Sequence, residues 1–179
     1  MKIEIKNVKI NLTFSEETIM FKADLAINGI IVGEAKNDGR GGNTFYEEKK
    51  YDVKKQEFFS DAIRNRNKDL IKQAEDFCKS LPPYQGSDFT LDMDLEFFID
   101  NLIDDEIAKK EQKKFEKKMI DRIMWGVPKG VSYKEIQFKV HLSQLPKDKL
   151  QEYIDKYKKG FVKGEVFLNT NLESLGIKI

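Results

Sequence analysis

Asp24 stands ten residues before Glu34-Ala35-Lys36, with an apolar hairpin between them. An aspartate followed by Glu-x-Lys is a set that can hold a divalent cation and activate a water for phosphodiester cleavage. Position decides whether the set works. If Asn28-Gly29 makes a two-residue turn, Asp24 falls opposite Gly33 and Glu34 opposite Ala23. Asp24 then lies on the other sheet face from Glu34 and Lys36, and the set is broken. A three-residue turn would restore it.

Other chemistry finds little material. His141 is the single histidine and Cys78 the single cysteine, so zinc ligation and a Cys-His or Ser-His-Asp site have almost nothing to draw on. The parity of His141 within Phe138–Leu142 predicts a solvent-facing strand residue. Cys78 falls in an apolar helical stripe and reads as an inert buried thiol. Asp92, Asp94 and Glu96 could line a cation if extended, but read better as acids at a helix N-terminus. No phosphate-binding loop, dinucleotide fingerprint or EF-hand spacing is present. No catalytic residue, metal or cofactor is expected, and the chain reads as a non-enzyme.

The segment Asn37-Asp38-Gly39-Arg40-Gly41-Gly42-Asn43 is the most unusual in the chain. Its glycines and asparagines allow sharp turns and exposed N–H groups, and Arg40 offers a fork of donors for phosphate or carboxylate. Phe45 and Tyr46 beside it offer aromatic faces. Charge is zoned as well. Asp88, Asp92, Asp94, Glu96, Asp100, Asp104, Asp105 and Glu106 occur without a base between them, and Lys109, Lys110, Lys113, Lys114, Lys117 and Lys118 follow. A second basic stretch comprises Lys54, Lys55, Arg64, Arg66, Lys68 and Lys72. Segregated charge can steer a charged partner to one surface. The balance as a whole, net charge +1, is not that of a dedicated nucleic-acid binder.

The elements that must position these residues are legible. The 179-residue chain, 40% apolar, suits one α+β domain over 1–179, with an alternative division at 1–83 and 84–179. Alternation predicts strands over 2–12, with a bulge at Lys6-Asn7, and over 18–27, then 30–36 after the Asn28-Gly29 turn, and about 44–51. Together they form an antiparallel four-strand meander. Phe59, Ile63, Leu70, Ile71, Ala74, Phe77 and Cys78 predict a helix ending before Pro82-Pro83. A second helix starts near Asp92 or Asp94 and carries Ile99, Ile103, Ile107, Phe115 and Met119. Strands over 120–127 and 131–142, a helix from Pro146 to about Lys158 and a strand over 160–168 complete the α+β order. Met1-Lys2-Ile3-Glu4-Ile5 lacks a signal-peptide core, and no apolar run approaches the roughly 20 residues of a membrane helix. A cytoplasmic location is expected.

Ser15-Glu16-Glu17-Thr18, Phe21-x-Ala23-x-Leu25-x-x-Asn28-Gly29, Gly33 and Asn37-Asp38-Gly39-Arg40-Gly41-Gly42 together resemble small proteins carried by phages and prophages. Leu81-Pro82-Pro83 and Met93-Asp94-Leu95 extend the likeness across residues 2–107. The resemblance implies action by binding in a bacterial host cell, in the manner of anti-CRISPR inhibitors. The implied partner is an RNA-guided nuclease effector or its guide RNA. Contact residues on this reading are Asn37, Asp38, Arg40, Asn43, Phe45 and Tyr46 with Asp100, Asp104, Asp105, Lys109, Lys110, Lys113 and Lys114. The alternative is an accessory protein that binds nucleic acid or senses nucleotides without a protein target.

Overall fold

The computed structural model describes residues 1–53 and 55–179. The chain divides into two compact units, Met1–Ile107 and Ala108–Ile179. The boundary lies inside a helix, not at Pro82-Pro83.

The first unit opens with β1 (Ile3–Ile10), β2 (Phe21–Ile27), β3 (Ile30–Asn37) and β4 (Phe45–Glu48), an antiparallel meander in the order β1-β2-β3-β4. The bulge expected in β1 is present, because the pairing shifts between Lys6 and Lys9, and Asn7 takes φ 52°. Asn28 and Gly29, at φ 49° and 84°, make the two-residue turn whose twist suits a hairpin. A second irregularity was not expected. Ala26 pairs with Ile31 but Leu25 pairs with Gly33, so Val32 is an extra residue in β3. The slip brings Asp24 directly opposite Glu34. Turn length alone had placed these carboxylates on opposite faces; the bulge corrects that, because one inserted residue reverses side-chain parity beyond it.

Short hairpins β5 (Tyr51–Asp52) with β6 (Glu57–Phe58), and β7 (Tyr84–Gln85) with β8 (Thr90–Leu91), flank α1 (Asp61–Lys79). Ser60 caps α1 by accepting from the Ile63 N–H, and the chain leaves the helix before Pro82-Pro83. α2 (Leu95–Lys118) begins under the Asp94 carboxylate, which accepts from the Phe97 N–H at 2.7 Å. Phe21, Ala23, Leu25, Ile27, Val32 and Ala35 from the sheet meet Ile71, Ala74 and Cys78 from α1 and Leu95, Ile99 and Ile103 from α2. Each wholly buried Leu or Ile among them contributes roughly 1.5–3 kcal/mol. Helices cover this face of the sheet.

In the second unit β9 (Arg122–Gly126) runs between β10 (Tyr133–Gln137) and β11 (Val166–Phe167), both antiparallel to it. α3 (Lys147–Lys158) follows Pro146, as expected, and buries Leu150 and Ile154 with Ile123, Trp125, Leu142, Leu172 and Ile177. The strands are shorter than the alternation predicts. β10 stops at Gln137, and Leu142 starts a 3-10 turn with its side chain in the core. His141 is therefore exposed but not in a strand; its N–H donates to the Gln144 side chain at 3.1 Å.

Candidate binding face

The face of the first sheet opposite the helices carries an ordered row. Lys9 pairs with Lys22, Lys22 with Lys36, and Lys36 with Phe45, one residue from each of the four strands. All four side chains are exposed. Directly opposed like charges destabilise a sheet by a few tenths of a kcal/mol, so the row is not explained by stability. Lys22 has a partner, Glu34, at 2.8 Å, whereas Lys9 and Lys36 make no ion pair among the described residues. The lysine row lies between two hollows. One, about 400 Å³, is lined by Met20, Phe21, Lys22, Lys36, Asp38 and Phe45. The other, about 220 Å³, holds Asn7, Lys9, Lys22, Asp24, Glu34 and Lys49. Phe45 is 65% exposed at the rim of the larger hollow.

The next row is acidic: Lys6 pairs with Asp24, Asp24 with Glu34, and Glu34 with Glu47. Lys49 reaches across this face to Asp24 at 2.7 Å, and the Asn7 side-chain amide donates to the same carboxylate at 2.7 Å. Burial raises the Asp24 pKa, but these hydrogen bonds and the Lys49 charge outweigh it and hold the carboxyl below its ordinary value. Asp24 and Glu34 thus share a face yet are each engaged by a lysine. Among the described residues no group of three or more His, Cys, Asp or Glu side chains could hold a metal ion.

The glycine-rich segment is an internal knot. Asn37 is buried, and its Oδ1 accepts from the Thr18 hydroxyl and the Gly39 N–H, both at 2.8 Å. Its amide donates to the Gly42 carbonyl at 2.9 Å and to Thr44 Oγ1 at 3.3 Å. The Gly39 carbonyl accepts from the N–H groups of Glu16, Glu17 and Thr18. Gly39 sits at φ 84°, where a Cβ would come within 2.9 Å of Met20 Cβ and the Phe14 carbonyl. The Asp38 carboxylate accepts from the Arg40 N–H at 3.2 Å, and the Arg40 guanidinium makes no ion pair among the described residues. Arg40 and Asn43 are exposed.

Thr44 ties this segment to α2. Its N–H donates to Glu96 Oε1 at 2.9 Å and its hydroxyl to Asp100 Oδ1 at 2.6 Å. Thr18, Asn43, Glu96, Asp100, Ile103 and Asp104 line a cleft of about 410 Å³. Burial raises the Asp100 pKa, the Thr44 bond lowers it, and Glu96, Asp104 and Asp94 raise it further; the net shift is upward. Asp104 and Asp105 are exposed. Lys109, Lys110, Lys113 and Lys114, exposed on the later turns of α2, belong to the second unit.

The structure thus sorts the expected contact residues. Asp38 and Phe45 stand at the surface beside the lysine row, Arg40 is exposed in the glycine-rich segment, and Asn43, Asp100 and Asp104 line the acidic cleft. Asn37 is occupied internally. Tyr46 faces α1, where its hydroxyl donates to Glu75 Oε1 at 2.9 Å, and burial together with the Glu75 charge raises its pKa. Cys78 is fully buried, and burial and the Asp94 charge push its thiol up to about 11. From the second basic stretch, Arg64 and Lys68 pair with Glu48, while Lys54 lies outside the described residues. Lys9, Lys22 and Lys36 were missed. Their signal was present: each alternates with inward residues (Val8 and Ile10, Phe21 and Ala23, Ala35 and Asn37), which assigns all three outward. Only their alignment needed the register.

Comparison of the chain with protein-family models, with curated proteins and with solved structures finds no match.

Proposed function

We propose that this chain is a phage-type accessory protein that acts by binding in the cytoplasm of a bacterial host. On this reading it is an anti-CRISPR-like inhibitor whose partner is an RNA-guided nuclease effector or its guide RNA. One observation carries the choice of surface: the exposed row Lys9–Lys22–Lys36, ending on Phe45. A row of cations with an aromatic at its end suits an anionic, base-bearing partner. The acidic stretch of α2 supports the reading less, because Glu96 and Asp100 are engaged by Thr44. A protein that mimics a polyanion keeps its carboxylates free.

The test is capture of candidate effectors on the tagged protein, with and without guide RNA, followed by cleavage of target DNA with the protein added. The proposal expects retention of the effector–guide complex and loss of cleavage. Retention of no effector, with cleavage unaffected, overturns it.

A further inference from the structure

We infer that the open sheet face is a single-stranded nucleic-acid site. The backbone of the strand would cross β1, β2 and β3 over Lys9, Lys22 and Lys36, and a base would seat on Phe45. The inference rests on the same face as the proposed function but adds a ligand class that requires no effector protein.

The geometry has three parts. Neighbouring strands lie about 4.8 Å apart, so the Cα atoms of the lysine row span roughly 10 Å, a length over which an extended strand presents successive phosphates. The ammonium groups of Lys9 and Lys36 have no intramolecular carboxylate among the described residues, and that of Lys22 can swing from Glu34, since its side chain is 61% exposed. The second part is the hollow of about 400 Å³ against Phe45, lined also by Met20, Lys22, Lys36 and Asp38. An exposed ring beside this hollow gives a base a stacking face. The third part is direction. The Asp24, Glu34 and Glu47 row lies immediately beside the lysines and offers phosphate no free cation, so the lysine row that ends at Phe45 is the favoured lane.

A duplex does not fit this description. Its stacked bases would leave Phe45 without a partner, and its rigid groove would need cations spread over a longer track. RNA and single-stranded DNA share the chemistry used here, and the 2′-hydroxyl separates them only by measurement.

The experiment is a fluorescence-anisotropy titration of labelled 12-nucleotide RNA and DNA strands, and of a matched duplex, at several salt concentrations. Three phosphates neutralised on a single strand predict a slope of log K against log salt of about −2. The triple variant K9Q/K22Q/K36Q should abolish measurable binding, and each single lysine variant should flatten the slope by about 0.7. F45A should weaken binding by roughly 5- to 150-fold while leaving the slope unchanged. The variant K149Q/K158Q/K159Q, exposed lysines on and just after α3, should bind like the parent. Circular-dichroism melts establish that each variant is folded; should the triple variant not fold, the three single variants decide through their slopes.

No binding by the parent at low salt overturns the inference, as does binding that survives the triple variant or is lost equally with the α3 lysines. A preference for duplex also overturns it. Effector capture that persists when strand binding is absent removes this inference and leaves the proposed function standing. Strand binding without effector capture does the reverse.

Discussion

The Thr44 hydroxyl donates to Asp100 Oδ1 at 2.6 Å, joining the residue that ends the glycine-rich segment to the second turn of α2. Thr44 is 4% exposed, and its Oγ1 also accepts from the Asn37 side-chain amide at 3.3 Å. The bond ties the end of this segment to the helix that covers the sheet.

Asp100 should therefore matter as an acceptor and not as a charge. Its pKa is raised, so the folded chain holds this proton more tightly than the unfolded chain. The resulting stabilisation is full below about pH 4 and is lost as pH rises through the raised value. At pH 7 D100N should equal or exceed the parent in stability, because it keeps an acceptor for Thr44 and removes a half-buried charge. D100A should be about 1–3 kcal/mol less stable than D100N, since the Thr44 hydroxyl loses its acceptor. Urea unfolding of the two variants at pH 4 and pH 7 checks both statements.

Asp24 should show the opposite dependence on pH. Its pKa is lowered, so its contribution is present above about pH 4 and disappears as pH falls through the lowered value. D24N should cost roughly 0.5–1.5 kcal/mol at pH 7 through Lys49 and Asn7. The difference from the parent should close as pH approaches 2. A variant whose deficit is the same at every pH would contradict this.

Gly39 and Gly42 should respond differently to alanine. Gly39 has φ 84° and no room for a Cβ, whereas a Cβ at Gly42 meets nothing within 4 Å. G39A should cost upwards of about 1–2 kcal/mol from the left-handed backbone alone. G42A should lie within about 0.5 kcal/mol of the parent. Thermal unfolding of the pair separates a demanding turn from a merely glycine-rich one.

Asn37 is the hub of the same segment, with four hydrogen bonds to Thr18, Gly39, Gly42 and Thr44. N37A should destabilise by about 2–4 kcal/mol, the sum of several modest bonds. N37D keeps the acceptors but loses both donors, and should recover only part of that loss.

Much of this fold was legible in local pattern. The bulge in β1 announced itself because Ile5 and Val8 break a period of two, and α3 because Pro146 precedes a clean stripe of Leu150, Tyr153, Ile154 and Tyr157. The bulge at Val32 gave no such sign. Ile30, Ile31 and Val32 form an uninterrupted apolar run, which reads the same with or without an extra residue. Phe138, Val140 and Leu142 mimicked a strand, yet Val140 is 42% exposed and Leu142 is 1% exposed, because a 3-10 turn carries Leu142 inward. At the candidate face, the exposure of Arg40 and Phe45 followed from their neighbours. The engagement of Tyr46 by Glu75, and of Thr44 by Glu96 and Asp100, did not, because those partners lie on helices far along the chain.

The central claim is that the protein works by binding through the open sheet face. The most direct measurement compares the parent with K9Q/K22Q/K36Q, both tagged, as baits for an RNA-guided effector loaded with its guide. The parent should retain the loaded complex and the variant should lose most of it, while both melt at similar temperatures. Equal retention by the two proteins would contradict the account.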